Sequence, residues 1–163
     1  MRIKLMWAGC LLAIAVVASN TWHKEQILAQ GHTVLLQLRP VDPRSLLQGD
    51  YMVLRYRMAD SIAAKVADSR DGLAVVSVDP AGAATFVRVW REGEKLAAGE
   101  RLLKFRKRSL HVRIASSAYF FQEGHAHYYE QARYGAIKVS SSGTAVLVGL
   151  YDSNHALLRA PAG

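Results

Sequence analysis

The longest uninterrupted feature of the hydropathy pattern lies at the start of the chain. Leu5 to Ala18 (LMWAGCLLAIAVVA) contains no polar side chain; Arg2 and Lys4 precede it, and Ser19, Asn20, Thr21 and Trp22 follow. As a helix the run measures roughly 21 Å, or roughly 27 Å counted through Trp22, against a hydrocarbon core of about 30 Å. It reads as an export signal, either a cleaved signal peptide or an uncleaved anchor. Val16-Val17-Ala18 and Ala13-Ile14-Ala15 are mediocre cleavage sites. Trp7 and Trp22 stand where interfacial aromatics belong, and Arg2 and Lys4 would keep the N-terminus in the cytoplasm. The expectation is a signal-anchor over residues 1–22, a helical stalk over 23–31 that Gly31 ends, and an extracytoplasmic domain over 32–163.

Beyond the stalk the period changes from helical to two. Thr33 to Arg39 (TVLLQLR) predicts a strand stopped by Pro40, after which Asp42 can cap a single helical turn with Pro43 at its first position and Gly49 at its end. Tyr51 to Met58 (YMVLRYRM) alternates, placing Met52, Leu54, Tyr56 and Met58 on the core side and Tyr51, Val53, Arg55 and Arg57 on the other. Further strands are predicted at 73–78, 85–90, 101–106, 110–115, 136–140 and 144–150, punctuated by Asp71-Gly72, Asp79-Pro80-Ala81-Gly82, Ala98-Gly99 and Ser142-Gly143. Ser61 to Ala67 fits a short helix or a strand. Gly124 to Tyr134 predicts one helix, with Glu123 at its positive end and Gly135 as its stop. Short strands and tight turns give an α+β fold, a mostly antiparallel sheet domain closed as a partial barrel or packed as a sandwich.

Composition narrows the class without naming a reaction. The 163 residues suit one domain, and 51% hydrophobic with 21% charged residues excludes a disordered or low-complexity chain. The single cysteine, Cys10, rules out an internal disulfide and a thiolate zinc site; it lies inside the apolar run, where it reads as a small membrane-facing residue rather than a lipidation site. The net charge of +8 suits nucleic acid, anionic lipid or an acidic protein face. Export removes the domain from nucleic acid, leaving the other two.

Gly49-Asp50-Tyr51-Met52-Val53-Leu54-Arg55-Tyr56 matches every specified position of the motif that gives the GDYXXLXY family of bacterial membrane-anchored proteins its name. Pro40-Val41-Asp42-Pro43-Arg44 resembles the family's lead-in, and Tyr119 to Gly124, with Tyr129-Glu130 and Arg133-Tyr134-Gly135, resembles its second block. The resemblance implies a one-pass inner-membrane anchor, a periplasmic domain and a multi-pass membrane protein as partner; it implies no established activity. Asp42, Arg44, Gly49, Asp50, Tyr51, Leu54, Tyr56, Glu123, Gly124, Glu130 and Tyr134 are accordingly the motif and candidate binding positions.

Candidate chemistry remains thin. The lead-in also resembles the nucleophile segment of signal peptidases, but the serine position falls on Pro40, which has no hydroxyl. Ser45 would need another geometry, and Lys65, Lys95 and Lys104 lack a supporting block. Asp50, beside a Gly-ended turn, fits a backbone-bonding role. Glu123, His125, His127 and Glu130 resemble metal ligands, yet on a helix His125 and His127 project about 200° apart, so no metal is expected. No cofactor and no catalytic residue is assigned. The basic cluster over 104–113, read as a hairpin, would send Leu103, Phe105, Leu110, Val112 and Ile114 inward and Lys104, Arg106, Arg108, His111 and Arg113 outward. That cationic face suits a solvated sheet edge or an anionic lipid or glycolipid. The leading expectation is a non-enzymatic, membrane-anchored periplasmic accessory protein; the rival is an envelope hydrolase using Asp50, Glu123 or Glu130.

Overall fold

The computed structural model describes residues 2–39, 51–66, 71–109 and 111–161. Asp42, Arg44, Gly49 and Asp50, the Asp42-capped turn and Leu110 lie outside the described residues. A helix, α1 (Arg2–Gln30), leads directly into β1 (His32–Gln37), followed by β2 (Tyr51–Val53), α2 (Arg57–Lys65), β3 (Asp71–Val78), β4 (Ala84–Val89), β5 (Glu100–Arg108), β6 (His111–Ile114) and β7 (Ala118–Phe120). A 3-10 turn (Ala126–Tyr129), β8 (Tyr134–Val139), β9 (Ala145–Tyr151) and β10 (Leu157–Leu158) complete the order.

The strands form three antiparallel sheets, β1-β8-β9-β10, β4-β3-β5-β6 and the two-stranded β2-β7. The two larger sheets are curved half-barrels around one core. They are sewn together at their corners. On one side the Leu35 N–H donates to the Gly82 carbonyl (2.8 Å) in the β3-β4 turn; on the other the Lys104 N–H donates to the Gly143 carbonyl (2.8 Å) in the β8-β9 turn. The chain through Leu54 to Tyr56 bridges the remaining gap, since the Arg39 N–H donates to the Arg55 carbonyl (2.7 Å) and the Leu54 N–H to the Ser117 carbonyl (2.8 Å).

Alternation fixes which side chains enter the core. Val34 and Leu36 of β1, Ala74 and Val76 of β3, Leu103 and Phe105 of β5, and Ile137 and Val139 of β8 are all buried. Met58 and Ile62, one helical turn apart on α2, bury against them, and α2 packs on β4 and β6. The predicted strand at 51–58 is shorter than its pattern implies. The ladder with β7 ends at Val53, Tyr56 makes only an isolated bridge to Leu38, and from that extended residue (φ −87°, ψ 130°) α2 starts at Arg57. Met52, Leu54, Tyr56 and Met58 are nevertheless all buried, because Met58 falls on the inner face of the helix as it would have on that of the strand. Ser61 to Lys65, which fitted either element, is helical, as suits its alanines and lysine.

The helix predicted at 124–134 is corrected to the 3-10 turn Ala126–Tyr129. Gly124 has φ +78°, and from Tyr134 onward the backbone is taken by β8, which pairs with both β1 and β9. The intervening histidines and tyrosines are weak helix formers that cannot compete with that pairing. β7 and β10, of three and two residues, were not foreseen.

Among the described residues no helix is long and apolar enough to cross a membrane. The expected N-terminal transmembrane helix therefore has no support from that criterion. In α1, Trp7, Leu12 and Trp22 are 61%, 68% and 68% exposed, whereas Ile27, one turn before the helix end, is buried against the domain.

Candidate functional site

Tyr56 organises the region where the two half-barrels meet. Its ring lies over Gly135 of β8, where an added Cβ would come within 3.1 Å of Tyr56 Cε1. Its hydroxyl donates to the Ser116 carbonyl (2.9 Å) in the bend between β6 and β7. That bend is sharp: Ala115 has φ +47°, and Ser116 Oγ donates to the Ala118 carbonyl (2.7 Å). One tyrosine thus links the start of α2, the first sheet and the end of the second. Burial pushes its phenol well above the ordinary value.

Tyr56→Phe leaves the Ser116 carbonyl without its donor and is expected to cost about 1–2 kcal/mol in chemical unfolding. The pH dependence has a definite sign. Native Tyr56 retains its proton while the unfolded phenol ionises near pH 10, so its stabilising contribution is complete below about pH 10 and lost as pH rises further. The stability gap between wild type and Tyr56→Phe should narrow by about 1 kcal/mol between pH 10 and 11. An unchanged gap would contradict a protonated, buried phenol.

Because β6 and the Val53–Tyr56 segment splay apart around this bend, a groove of about 330 Å³ opens between them, with α2 as its third wall. Leu54, Tyr56 and Ile114 are buried beneath it, and Ala59 and Ala63 face it from the helix. Arg39, Arg55, His111 and Arg113 also line it, with Asp60 the one acid among the described lining residues. Arg39 Nη1 lies 3.4 Å from Asp60 Oδ2, and Arg113 Nη2 donates to Ser117 Oγ at 3.2 Å. Arg39, Arg55, Ala59, Asp60 and Ala63 were not singled out from sequence. The outward position of Arg55 in the 51–58 alternation was the signal available.

The predicted basic hairpin is present. Leu103, Phe105 and Ile114 point into the core, and Lys104, Arg106, Arg108, His111 and Arg113 are exposed. Arg106 stands opposite Arg113, so two like charges face each other across the strand pair, and Arg108 stands opposite His111. Lys107 turns the other way and donates to the Val66 carbonyl. His111 and Arg113 belong to both features, joining the groove to the cationic edge.

Elsewhere, Tyr51 is half-buried with its ring 5.6 Å from that of Phe120, which is 74% exposed. Tyr119 bonds to Tyr129, and burial together with that bond pushes the Tyr119 phenol up to about 12. Glu123 and Glu130 are exposed, flanking the 3-10 turn, and Gly124 supplies its positive-φ entry. Tyr134 opens β8 with its ring edge against His155. His125 and His127 lie to either side of the Tyr128 ring (centroids 5.5 and 3.9 Å), and His127 Nδ1 is 3.1 Å from the Gly124 carbonyl. Among the described residues no three His, Cys, Asp or Glu side chains gather as a metal site would require. The most organised charges are structural: Arg88 is bidentate to Glu100 (2.6 and 3.1 Å) and also meets Glu94 (3.2 Å), holding the β4-β5 connection.

Two antiparallel half-barrels joined through the 51–56 segment, with a cation-rimmed groove beside it, define an α+β domain carried on an N-terminal helix. The chain belongs to the GDYXXLXY family: the model of the GDYXXLXY protein matches residues 13–150. No curated protein and no solved structure matches the chain.

Proposed function

We propose that this is a non-enzymatic accessory protein of the bacterial inner membrane. In this reading α1 is a single anchor with its N-terminus in the cytoplasm, and the sheet domain stands in the periplasm and docks on a multi-pass membrane protein or another envelope component. The observation that carries the reading is the solvent exposure of apolar side chains along α1. Met6, Trp7, Leu11, Leu12, Ile14, Val17 and Trp22 touch little of the domain, and a row of this size in water would be strongly unfavourable without an apolar surrounding. Leu5 and Ala8, which complete the run, enter by sequence alone.

The cationic edge supports an acidic docking partner. Lys104, Arg106 and Arg108 project from β5, Arg106 stands opposite Arg113 of β6, and an acidic loop would relieve that repulsion.

Fractionation tests the anchor. The full chain is expected to stay with inner membranes through a high-salt wash and to be degraded by protease added to intact spheroplasts. Leu12→Arg combined with Ile14→Arg should move most of it to the soluble fraction, since each arginine at a helix centre opposes insertion by about 2.5–3.5 kcal/mol. Full-length wild-type chain dispersed in the soluble fraction would overturn the proposal.

A further inference from the structure

We propose that the groove between α2, β6 and the Val53–Tyr56 segment binds a small soluble ligand that joins an oxyanion to an apolar body, such as an organic phosphate or carboxylate. Its volume, about 330 Å³, is at the small end of the range for small-molecule sites. The space exists because Ala59 and Ala63, one helical turn apart, present only methyl groups to it, so the helix wall is set back from β6.

Rim and floor differ in chemistry, and that difference defines the ligand. Among the described residues, three arginines and a histidine line the groove against one aspartate, and neither Arg55 nor Arg113 forms an ion pair. Guanidinium groups present paired N–H donors that match the oxygens of phosphate and carboxylate. Beneath them Leu54 and Ile114 offer carbon surface suited to a short apolar body. Asp60 holds Arg39 at 3.4 Å and would compete with an incoming oxyanion.

Position favours a soluble ligand over a bilayer headgroup, a step that rests on the anchor reading. Arg39 lies beyond the end of β1 that is distal to α1, roughly 25 Å along an extended chain from Gly31. Headgroups of the bilayer holding α1 would therefore lie at the opposite end of the strand.

The test uses the full chain in a nonionic detergent, with binding read by calorimetry and ligand-observed NMR. Its outcome is therefore independent of whether the anchor reading holds. Phenyl phosphate should bind saturably, inorganic phosphate about tenfold more weakly, and benzyl alcohol without saturation. Arg55→Gln and Arg113→Gln should each weaken phenyl phosphate binding about tenfold, and Asp60→Asn should strengthen it. Ala63→Leu, which fills the groove without altering charge, should abolish it. Lys104→Gln, on the cationic edge outside the groove, should change it by less than about twofold. Circular dichroism and thermal midpoints establish that each variant is folded, and the exposed arginine variants carry the test if Ala63→Leu is not. The proposal is overturned by absence of saturable binding, by binding that survives in folded Ala63→Leu, or by equal losses in Lys104→Gln and Arg113→Gln. Displacement of phenyl phosphate by phosphatidylglycerol vesicles at equal phosphate concentration would reassign the oxyanion to a lipid headgroup and overturn the soluble-ligand inference.

Discussion

Phe105→Ala is expected to destabilise the domain by about 3–5 kcal/mol, a large part of the 5–15 kcal/mol that holds a typical domain folded. Phe105 is 1% exposed, the largest fully buried side chain among the described residues, at the centre of the second sheet. Its cross-strand partner is Gly72, and its ring covers that glycine so closely that an added Cβ would sit 2.7 Å from Phe105 Cζ. Truncation removes the ring from the core and uncovers the glycine backbone together. Gly72→Ala alone should cost about 1–3 kcal/mol through overpacking. In a Phe105→Leu background that penalty should shrink, because the offending ring edge is gone, so the two changes should be less than additive. Additive losses in thermal or urea unfolding would show that the ring and the glycine are not coupled.

The second large effect is expected at the corner of the two sheets. Gly143 has φ +83°, a conformation that is costly for a β-branched residue. An added Cβ there would also lie 3.2 Å from both the Leu102 carbonyl carbon and the Lys104 backbone nitrogen, atoms that cannot move without disturbing β5. The Gly143 carbonyl accepts the Lys104 N–H, so a shift of the turn also breaks the bond joining β8-β9 to β5. Gly143→Val should therefore cost about 3 kcal/mol or more, combining backbone strain with a lost buried hydrogen bond. Gly82→Val is the control. It has a similar φ of +85° but nothing within 4 Å of its Cβ, so it should show the strain without the clash. The Gly82 carbonyl likewise accepts a corner bond, from the Leu35 N–H, so equal losses in the two variants would mean that the clash at Gly143 contributes nothing.

Sequence reading succeeds here where a local period decides the outcome. The alternation of Leu103, Phe105 and Ile114 against Lys104, Arg106 and Arg113 specifies the β5-β6 hairpin and its two faces before any partner is known. The family motif was legible by residue identity, Gly49, Asp50, Tyr51, Leu54 and Tyr56 at fixed spacing, and not by a period. Reading fails where a distant segment decides. Gly124 to Tyr134 looks helical in isolation, but Tyr134 must pair with Gln37 and Tyr151, and those partners are remote in sequence. The two-residue β10 carries too little pattern to announce itself, as it exists by pairing with Leu150 and Tyr151. The groove was invisible for a further reason. It depends on how far α2 stands from β6, a distance set by Ala59, Ala63 and the positive-φ Ala115 together, and no spacing along the chain encodes it.

The junction between α1 and β1 has a mechanical consequence. Ile27 is buried, the Gly31 N–H donates back to the Ile27 carbonyl, and β1 begins at the next residue, so no slack tether separates the helix from the sheet. Torque on the helix passes straight into β1 and, through the Leu35 to Gly82 bond, into the opposite half-barrel. With α1 seated as proposed, the domain would keep one azimuth and one height above its bilayer instead of sampling a hemisphere on a flexible leash. A neighbour in the same membrane would then meet a pre-aimed surface, losing little rotational entropy on contact.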